Sequence, residues 1–296
     1  MIQYLYLGRV AYDEGLRLQA EIAELRYQGR VENVLLLLEH PPVLTLGRNA
    51  HRSNVLASDE LLAQRGVTLH EINRGGDVTY HGPGQLVGYP IFDLRSLLRP
   101  AGGRLGPVDF VRMMEEALIR LCGVYGVRAG RIAGLTGVWC GLHESEISSK
   151  DLPSRKGRKI GAIGIHVSRG ITSHGFAFNV TTDLRDFQLI NPCGITDKPV
   201  TSLEREVPDP AALPSLEAIA HEATRQFGHV FHDQILAIES LDALRVQALP
   251  PKTQSPAPEK PQKAELASPQ MTEDTPLQVP PEVERLRHAP NRPVRA

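Results

Sequence analysis

A glycine-rich run between two apolar segments constrains the fold of this chain more than any other feature. Residues 74–91 contain five glycines, and residues 67–72 before the run and 86–92 at its end have the apolar pattern of β-strands. Glycine tolerates positive φ and lets a backbone approach a ligand closely. The run is therefore predicted to connect two strands and to wrap over a bound molecule. An ordinary glycine-rich hairpin is the alternative.

The rest of the chain predicts strands and helices in an irregular order. Apolar residues at helical spacing predict helices over 12–28 and from 108 to 122, a short helix capped by Ser58, and a helix that Ser215 caps and Gly228 ends. Short apolar runs predict strands at 34–38, 43–48 and 133–139, and a hairpin of 159–167 and 171–180. We therefore expect an α/β (α+β) fold, with a mixed β-sheet flanked by helices.

Composition and charge narrow the classes of function. The 296 residues include 33 basic and 34 acidic side chains, so the chain lacks the net positive charge typical of nucleic-acid-binding proteins. No apolar run approaches the ~20 residues of a transmembrane helix, and the first residues lack the basic region and cleavage site of a signal peptide. We therefore expect a cytoplasmic protein that binds neither nucleic acid nor membrane.

The composition changes near residue 250. Residues 250–296 contain 11 of the chain's 23 prolines and no aromatic residue. Such a segment buries too little apolar surface to offset its conformational entropy. We expect it to be a disordered tail.

Cys193 is a candidate nucleophile on chemical grounds. It lies between a proline and a glycine, outside any periodic pattern, whereas Cys122 belongs to the apolar stripe of a predicted helix. From the tripeptide alone, an incidental surface cysteine is the alternative. A thiol with a pKa of about 8.5 is mostly protonated at neutral pH, so catalysis needs a neighbouring base or cation. The candidates for that neighbour are Lys159, His81, His166 and His174.

The cysteines and histidines do not predict a metal site. Three cysteines are too few and too scattered for a four-ligand zinc site. His229 and His232 have the spacing of two ligands on a helix, but no third ligand is near them. We expect both histidines to lie on the surface.

Three sequence elements carry a family resemblance. Residues 74–85, Arg-Gly-Gly-Asp-Val-Thr-Tyr-His-Gly-Pro-Gly-Gln, resemble the signature Arg-Gly-Gly-x-x-Thr-x-His-x-Pro-Gly-Gln of lipoyl(octanoyl) transferases. The Asn-Pro-Cys-Gly element at 191–194 and the Lys-Ile-Gly-Ala-Ile-Gly element at 159–164 are similar to the nucleophile and lysine elements of the same family. The resemblance implies the catalytic-domain fold of biotin and lipoate protein ligases over residues 1–240, whereas the proline-rich composition sets residues 250–296 apart as a tail.

The resemblance also implies roles for individual residues. It makes Cys193 the nucleophile and Lys159 its partner and base. The family's acyl-binding segments carry over onto three parts of this chain, namely Arg74, Gly75, Gly76, Asp77, Val78, Thr79, Tyr80 and His81, then Ala162, Ile163 and Gly164, then Gly175, Phe176 and Ala177.

The implied reaction is acyl transfer in lipoate cofactor biosynthesis. An octanoyl group passes from octanoyl-acyl-carrier protein to Cys193, and then to a lysine of a lipoyl domain. The implied acceptors are the lipoyl domains of 2-oxoacid dehydrogenase complexes and the glycine cleavage H protein. Because an amide is more stable than a thioester, the reaction needs no ATP, and we expect no cofactor.

Three other functions are compatible with these sequence features. An ATP-dependent lipoate or biotin protein ligase has the same fold, and residues 47–49 are similar to an element of lipoate ligases. A cysteine-dependent thioester hydrolase would use His81 or His174 with Cys193 and water. A non-enzymatic module would carry acyl groups without turnover. The thiol argues against the ligase, which activates its substrate as an adenylate.

Overall fold

The computed structural model describes residues 1–98, 102–142, 157–191 and 198–248. Cys193 and the predicted tail at residues 250–296 lie outside these ranges. Within the described ranges, none of the helices is long and apolar enough to span a bilayer.

A large mixed sheet forms the centre of the fold. Within the described residues its eight strands lie in the order β11–β1–β2–β6–β10–β9–β8–β7. The strand β1 runs parallel to β2 and β11, and the other neighbours are antiparallel. The strands are β1 (Ile2–Arg9), β2 (Asn33–Glu39), β6 (Gln85–Ile91), β7 (Ala129–Ile132), β8 (Leu135–Cys140), β9 (Arg158–Ser168), β10 (Ile171–Asn179) and β11 (Ile235–Ala237).

Helices cover both faces of this sheet, which confirms the predicted fold class. The helices α3 and α5 pack on one face around Phe110, Leu118 and Phe227, and α1 and α6 pack on the other around Leu18 and Leu244. The helices are α1 (Tyr12–Tyr27), α2 (Asp59–Gln64), α3 (Pro107–Val124), α4 (Leu203–Glu206), α5 (Leu216–Phe231) and α6 (Leu241–Gln247).

A second, smaller sheet lies beside the large one. Its described strands are β3 (Val43–Leu46), β4 (Thr68–Glu71) and β5 (Val78–His81), in the order β4–β3–β5. Side chains alternate between the two faces of a strand. Accordingly, Val78 and Tyr80 pack into an apolar cluster with α2, whereas Thr79 and His81 line a cavity on the opposite face.

Two local predictions were wrong, and one predicted strand is confirmed with shifted bounds. The glycine-rich run contains β5, because residues 78–81 pair with β3, so it is more than a connection. The predicted strand at 133–139 is β8, which begins at Leu135 after the turn from β7. The helix α5 continues through Gly228 to Phe231, and its C-cap His232 has a φ of 52°. A Cβ on Gly228 would lie 2.7 Å from Ile235 Cγ1, so this glycine allows close packing and does not end the helix.

The predicted hairpin of β9 and β10 is confirmed. Ser168 pairs with Ile171, and the two turn residues Arg169 and Gly170 have φ values of 51° and 85°. Positive φ at both positions is the geometry of a type I′ turn, whose twist matches that of the flanking strands. The turn therefore fixes the register of β9 on β10.

A buried carboxylate joins α3 to β8. Glu115 is 0 % exposed, and its Oε2 accepts hydrogen bonds from Arg112 Nη1 at 2.6 Å and Arg131 Nε at 3.0 Å. Its Oε1 accepts the backbone N–H of Gly137 at 2.9 Å. A buried charge requires such partners, because an unpaired one is strongly destabilising.

We predict that Glu115→Gln lowers the free energy of unfolding by about 2–3 kcal/mol, because it replaces two charge-assisted hydrogen bonds in a buried site. The matched control is Glu116→Gln, which removes a half-buried carboxylate that also pairs with Arg131. The control should lose less than about 1 kcal/mol. Denaturant unfolding of both variants measures the difference. Equal losses would contradict a special role for the buried carboxylate.

Candidate active site

A cavity lies between the small sheet and the large one. Thr79 and His81 of β5 form one wall, and Val87 and Tyr89 of β6 lie deep inside. Further contributions come from β9 and β10, from residues 74–77, and from Phe187 and Val200. The cavity is therefore built where the two sheets face each other.

Small side chains form the floor of this cavity. Ala162 pairs with Ala177, and Gly164 pairs with Gly175, across the β9–β10 hairpin. Because the pairs are two residues apart, all four residues lie on the same face of the sheet. The two alanine side chains leave space in the cavity, whereas the two glycines let the backbones of Gly75 and Gly88 approach the strands. Ile163 and Phe176 also border the cavity, but they pack with the core on the α3 side.

The first part of the glycine-rich run crosses the cavity as a strap, which we define as residues 73–76. The backbone N–H of Gly75 donates to the carbonyl of Ile165 at 2.9 Å. A Cβ on Gly164 would lie 2.5 Å from the Gly75 carbonyl oxygen, so a glycine is required for this approach. The strap is thus held directly against β9.

His174 holds the strap from β10. Its Nε2 lies 2.7 Å from Asn73 Oδ1, and its φ of 56° turns the strand locally. A histidine at positive φ is uncommon and marks a strained position. Burial, together with nearby Arg74, lowers the pKa of His174 to about 4, so the ring is neutral at pH 7.

Arg74 points beneath the strap. It is 8 % exposed, and its Nη2 donates to the carbonyl oxygen of Thr45 at 2.8 Å and to Thr45 Oγ1 at 2.9 Å. A buried guanidinium with these neutral acceptors fixes the strap to β3. It also adds positive charge near one end of the cavity.

A β-bulge orients Lys159 in the cavity wall. Val138 pairs with Gly161, but Trp139 pairs with Lys159, so Ile160 is an extra residue on β9. After the bulge, the backbone N–H of Lys159 donates to Pro199 and its carbonyl accepts from Thr201, both at 2.9 Å. Bulges often redirect a side chain next to an active site.

The stem of Lys159 is packed on both sides. Its Nζ lies 5.2 Å from the centre of the Trp139 ring, within the range of a cation–π interaction. A Cβ on Gly137 would lie 2.7 Å from Lys159 Cε, so the stem crosses a position that only glycine leaves open. The side chain is therefore held by packing, as expected for a lysine where a polar loop meets a strand.

A neutral histidine, His81, forms part of the polar wall. Its Nδ1 lies 2.8 Å from Gln85 Oε1, and Gln85 Nε2 faces two acceptors, the carbonyl oxygen of Tyr80 and Oδ1 of Asn179. Gln85 must therefore donate through Nε2 and accept through Oε1, so His81 Nδ1 carries the proton. Burial, with nearby His40 and Arg74, lowers the pKa of His81 to about 3.

The predicted site residues fall into three groups. Arg74, Lys159 and most of the acyl-binding positions come together at the cavity, namely Gly76, Asp77, Thr79, His81, Ala162, Ile163, Gly164, Gly175, Phe176 and Ala177. Gly75 lies in the strap, and Val78 and Tyr80 face the cluster beside α2. Cys193 lies outside the described residues.

The predicted site residues omit several residues that line the cavity, among them Gln85 and Asn179. These two side chains bond to each other, although they are 94 residues apart. Gln85 belongs to the glycine-rich signature, so its position gave a signal. Asn179 lies next to the end of the predicted strand at 171–180, where a polar residue after apolar ones was the available sign.

Comparisons with known proteins identify the family. The family model of the lipoyl protein ligase A/B catalytic domain matches residues 11–227. An octanoyltransferase from Acidobacterium capsulatum is 61% identical over 241 residues, which cover 81% of this chain and 94% of that protein. An octanoyltransferase from Koribacter versatilis is 52% identical over 244 residues, which cover 82% of this chain and 90% of that protein.

A solved structure shares the fold. A putative lipoate protein ligase from T. acidophilum with bound lipoic acid aligns with a TM-score of 0.58 and 16% identity, over 83% of this chain and 92% of that one. At this identity the similarity shows the fold alone. The assignment rests on the family model and on the curated relatives. The chain therefore belongs to the octanoyltransferase family of acyltransferases, built on the lipoyl protein ligase A/B catalytic domain.

Proposed function

We propose that this protein transfers an octanoyl group from octanoyl-acyl-carrier protein to a specific lysine of a lipoyl domain, through an acyl-enzyme at Cys193. The acceptors are lipoyl domains of 2-oxoacid dehydrogenase complexes and the glycine cleavage H protein, and the reaction takes place in the cytoplasm. The observation that carries the proposal is an apolar cavity with a floor of small residues and Lys159 in its wall.

The cavity suits an eight-carbon chain. At ~3.3 Å per residue, the five steps of β9 from Lys159 to Gly164 span ~16 Å, which is longer than an extended octanoyl group. Burial of the chain at ~0.8 kcal/mol per methylene contributes on the order of 5 kcal/mol to binding. This binding energy is available to hold the thioester carbonyl near Lys159.

The proposed chemistry has two half-reactions. The Cys193 thiolate adds to the thioester carbon of the donor, the ammonium group of Lys159 gives a proton to the phosphopantetheine sulfur, and phosphopantetheine leaves as a thiol. The acceptor lysine amine then adds to the acyl-enzyme, Lys159 takes its proton, and Cys193 leaves as the thiolate. Because the positive charge of Lys159 also favours the thiolate, the two groups titrate together.

The histidines of the cavity support transfer over hydrolysis. A hydrolase needs a base that activates water near neutral pH. The low pKa values of about 3 for His81 and about 4 for His174 make both rings weak bases. We therefore assign neither histidine to water activation.

The catalytic domain is assigned to residues 1–240, and the proline-rich residues 250–296 to a separate tail. The family match at residues 11–227 supports the first assignment. The compact unit that begins at Met1 extends to Lys252.

The first prediction from the proposed function concerns the acyl-enzyme. After mixing with octanoyl-acyl-carrier protein, intact-protein mass should show one octanoyl adduct on the wild type and none on Cys193→Ser. An apo lipoyl domain should then remove the adduct without ATP. The matched control Cys122→Ala should retain the adduct, because burial and the contact with Cys140 raise the pKa of the Cys122 thiol and make it unreactive.

Other results would support the alternatives. Modification that requires free octanoate and ATP would make the protein a ligase. Rapid release of octanoate without a lipoyl domain would make it a hydrolase. An adduct that never turns over would indicate an acyl-carrying module.

The second prediction concerns the cavity floor. Ala177→Val places two methyl groups where the acyl chain is expected to lie, because Ala177 faces Ala162 on the cavity side of the hairpin. We expect kcat/KM for the octanoyl donor to fall by about 10- to 100-fold, since overpacking of this size costs 1–3 kcal/mol. The butanoyl donor should change less. A folding defect would lower both donors equally, and that outcome would contradict the placement of the chain.

A further inference from the structure

The carboxamide of Asn179 lies in the cavity wall, and its neighbours fix its orientation. Asn179 is 4 % exposed; its Nδ2 lies 2.9 Å from the carbonyl oxygen of Thr201, and its Oδ1 lies 2.9 Å from Gln85 Nε2. A backbone carbonyl only accepts hydrogen bonds, so the atom that faces Thr201 is the donor Nδ2. The other atom, Oδ1, therefore accepts the hydrogen bond from Gln85 Nε2.

One N–H of this carboxamide is left for a ligand. Nδ2 carries two hydrogens, and Thr201 accepts one of them. Within residues 1–98, 102–142, 157–191 and 198–248, no acceptor takes the other. A buried donor without an acceptor is destabilising, so its presence in a cavity wall indicates that a bound molecule supplies the acceptor.

Thr201 links the carboxamide to the backbone of Lys159. Its carbonyl accepts a hydrogen bond from Asn179, and its own N–H donates to the carbonyl of Lys159. Asn179 and Lys159 also line the same cavity. An acyl group bound in this cavity therefore has both residues in its walls.

We propose that the remaining Nδ2–H of Asn179 donates a hydrogen bond to the carbonyl oxygen of the octanoyl group and stabilises the negative charge on that oxygen during acyl transfer. This inference rests on the proposed function. When the Cys193 sulfur adds to the thioester carbon, a carbon–sulfur bond forms and the carbonyl π electrons move to the oxygen. Collapse of this adduct restores the carbonyl and breaks the bond to the phosphopantetheine sulfur, which takes a proton from the ammonium group of Lys159.

Gln85 acts through Asn179 as a positioning residue. Its Nε2 holds Asn179 Oδ1 and the carbonyl oxygen of Tyr80, so the carboxamide cannot rotate without the loss of a buried hydrogen bond. A donor that is fixed before charge develops needs no reorganisation during the reaction. The Asn179 carboxamide meets this condition, because Thr201 and Gln85 hold it in place.

The test is the near-isosteric Asn179→Asp, which replaces the donor by an acceptor. We expect kcat to fall by about 10²–10³-fold, as for the loss of one oxyanion donor. The KM for octanoyl-acyl-carrier protein should change by less than about threefold, because the cavity floor is unchanged. Gln85→Glu should lower kcat less, since it leaves the Asn179 carboxamide in place but removes its lock.

Octanal distinguishes a contact with the oxyanion from a purely structural role. The Cys193 thiol adds to the aldehyde carbon and gives a hemithioacetal whose oxygen takes the place of the acyl oxygen, whereas 1-octanol fills only the acyl cavity. Asn179→Asp should weaken octanal binding by about 10- to 100-fold and 1-octanol binding by less than about threefold. The control Thr201→Val removes the 2.7 Å hydrogen bond from Thr201 to Glu206 and keeps the carboxamide, so its octanal-to-octanol ratio should match that of the wild type.

The outcomes separate this inference from the function on which it rests. Wild-type acylation is measured first by intact mass; if no thioester forms on Cys193, the proposed function fails. If the wild type is acylated and a folded Asn179→Asp retains its kcat, the oxyanion role is wrong. The oxyanion role would also be wrong if Asn179→Asp weakened octanal and 1-octanol binding equally. It would be wrong as well if Thr201→Val changed the octanal-to-octanol ratio as much as Asn179→Asp does.

Discussion

The register of β9 on β10 is the constraint on which the rest of the site depends. It places Ala162, Gly164, Gly175 and Ala177 on one face, and a slip of β9 by one residue would bring Ile163 to that face and narrow the cavity. The tight turn at Arg169 and Gly170 sets this register locally. The cavity that is proposed to hold the acyl chain is thus shaped by a two-residue turn and by four small residues.

The bulge at Ile160 changes the hydrogen-bond partners of the Lys159 backbone. In an unbroken strand, Lys159 would direct its backbone groups to the same side as Gly161, whose carbonyl faces Gly137. The extra residue turns those groups toward Pro199 and Thr201 instead. The segment after residue 198 therefore docks on β9 beside the end of β10, and the cavity gains a polar wall at that point.

The sequence predicted those parts of the fold that depend on local patterns. Helices with a long apolar stripe, the capped helix after Ser58 and the β9–β10 hairpin followed from periodicity and turn residues. The signature at residues 74–85 identified the family, but it could not separate Thr79 and His81, which face the cavity, from Val78 and Tyr80, which face the α2 cluster. That distinction requires the partner of β5.

Contacts between distant residues could not be predicted in the same way. The hydrogen bond from Gln85 to Asn179 joins residues 94 positions apart, and nothing local to either residue indicates the other. The role of Gly228 was misread because a glycine that permits close packing and a glycine that ends a helix look identical in a sequence. The bulge at Ile160 also has no local signature, since it depends on how β8 pairs with β9.

Gly137 contacts both the buried core and the candidate active site. The buried Glu115 carboxylate holds the N–H of this residue, and the absence of a side chain at the same residue lets the Lys159 stem cross it. With φ at 123°, the position also suits glycine conformationally. A core ion pair and a surface-accessible lysine are thus joined by one residue that must lack a Cβ. Gly137 therefore connects the α3–β8 contact to Lys159, the side chain that is proposed to accept the proton.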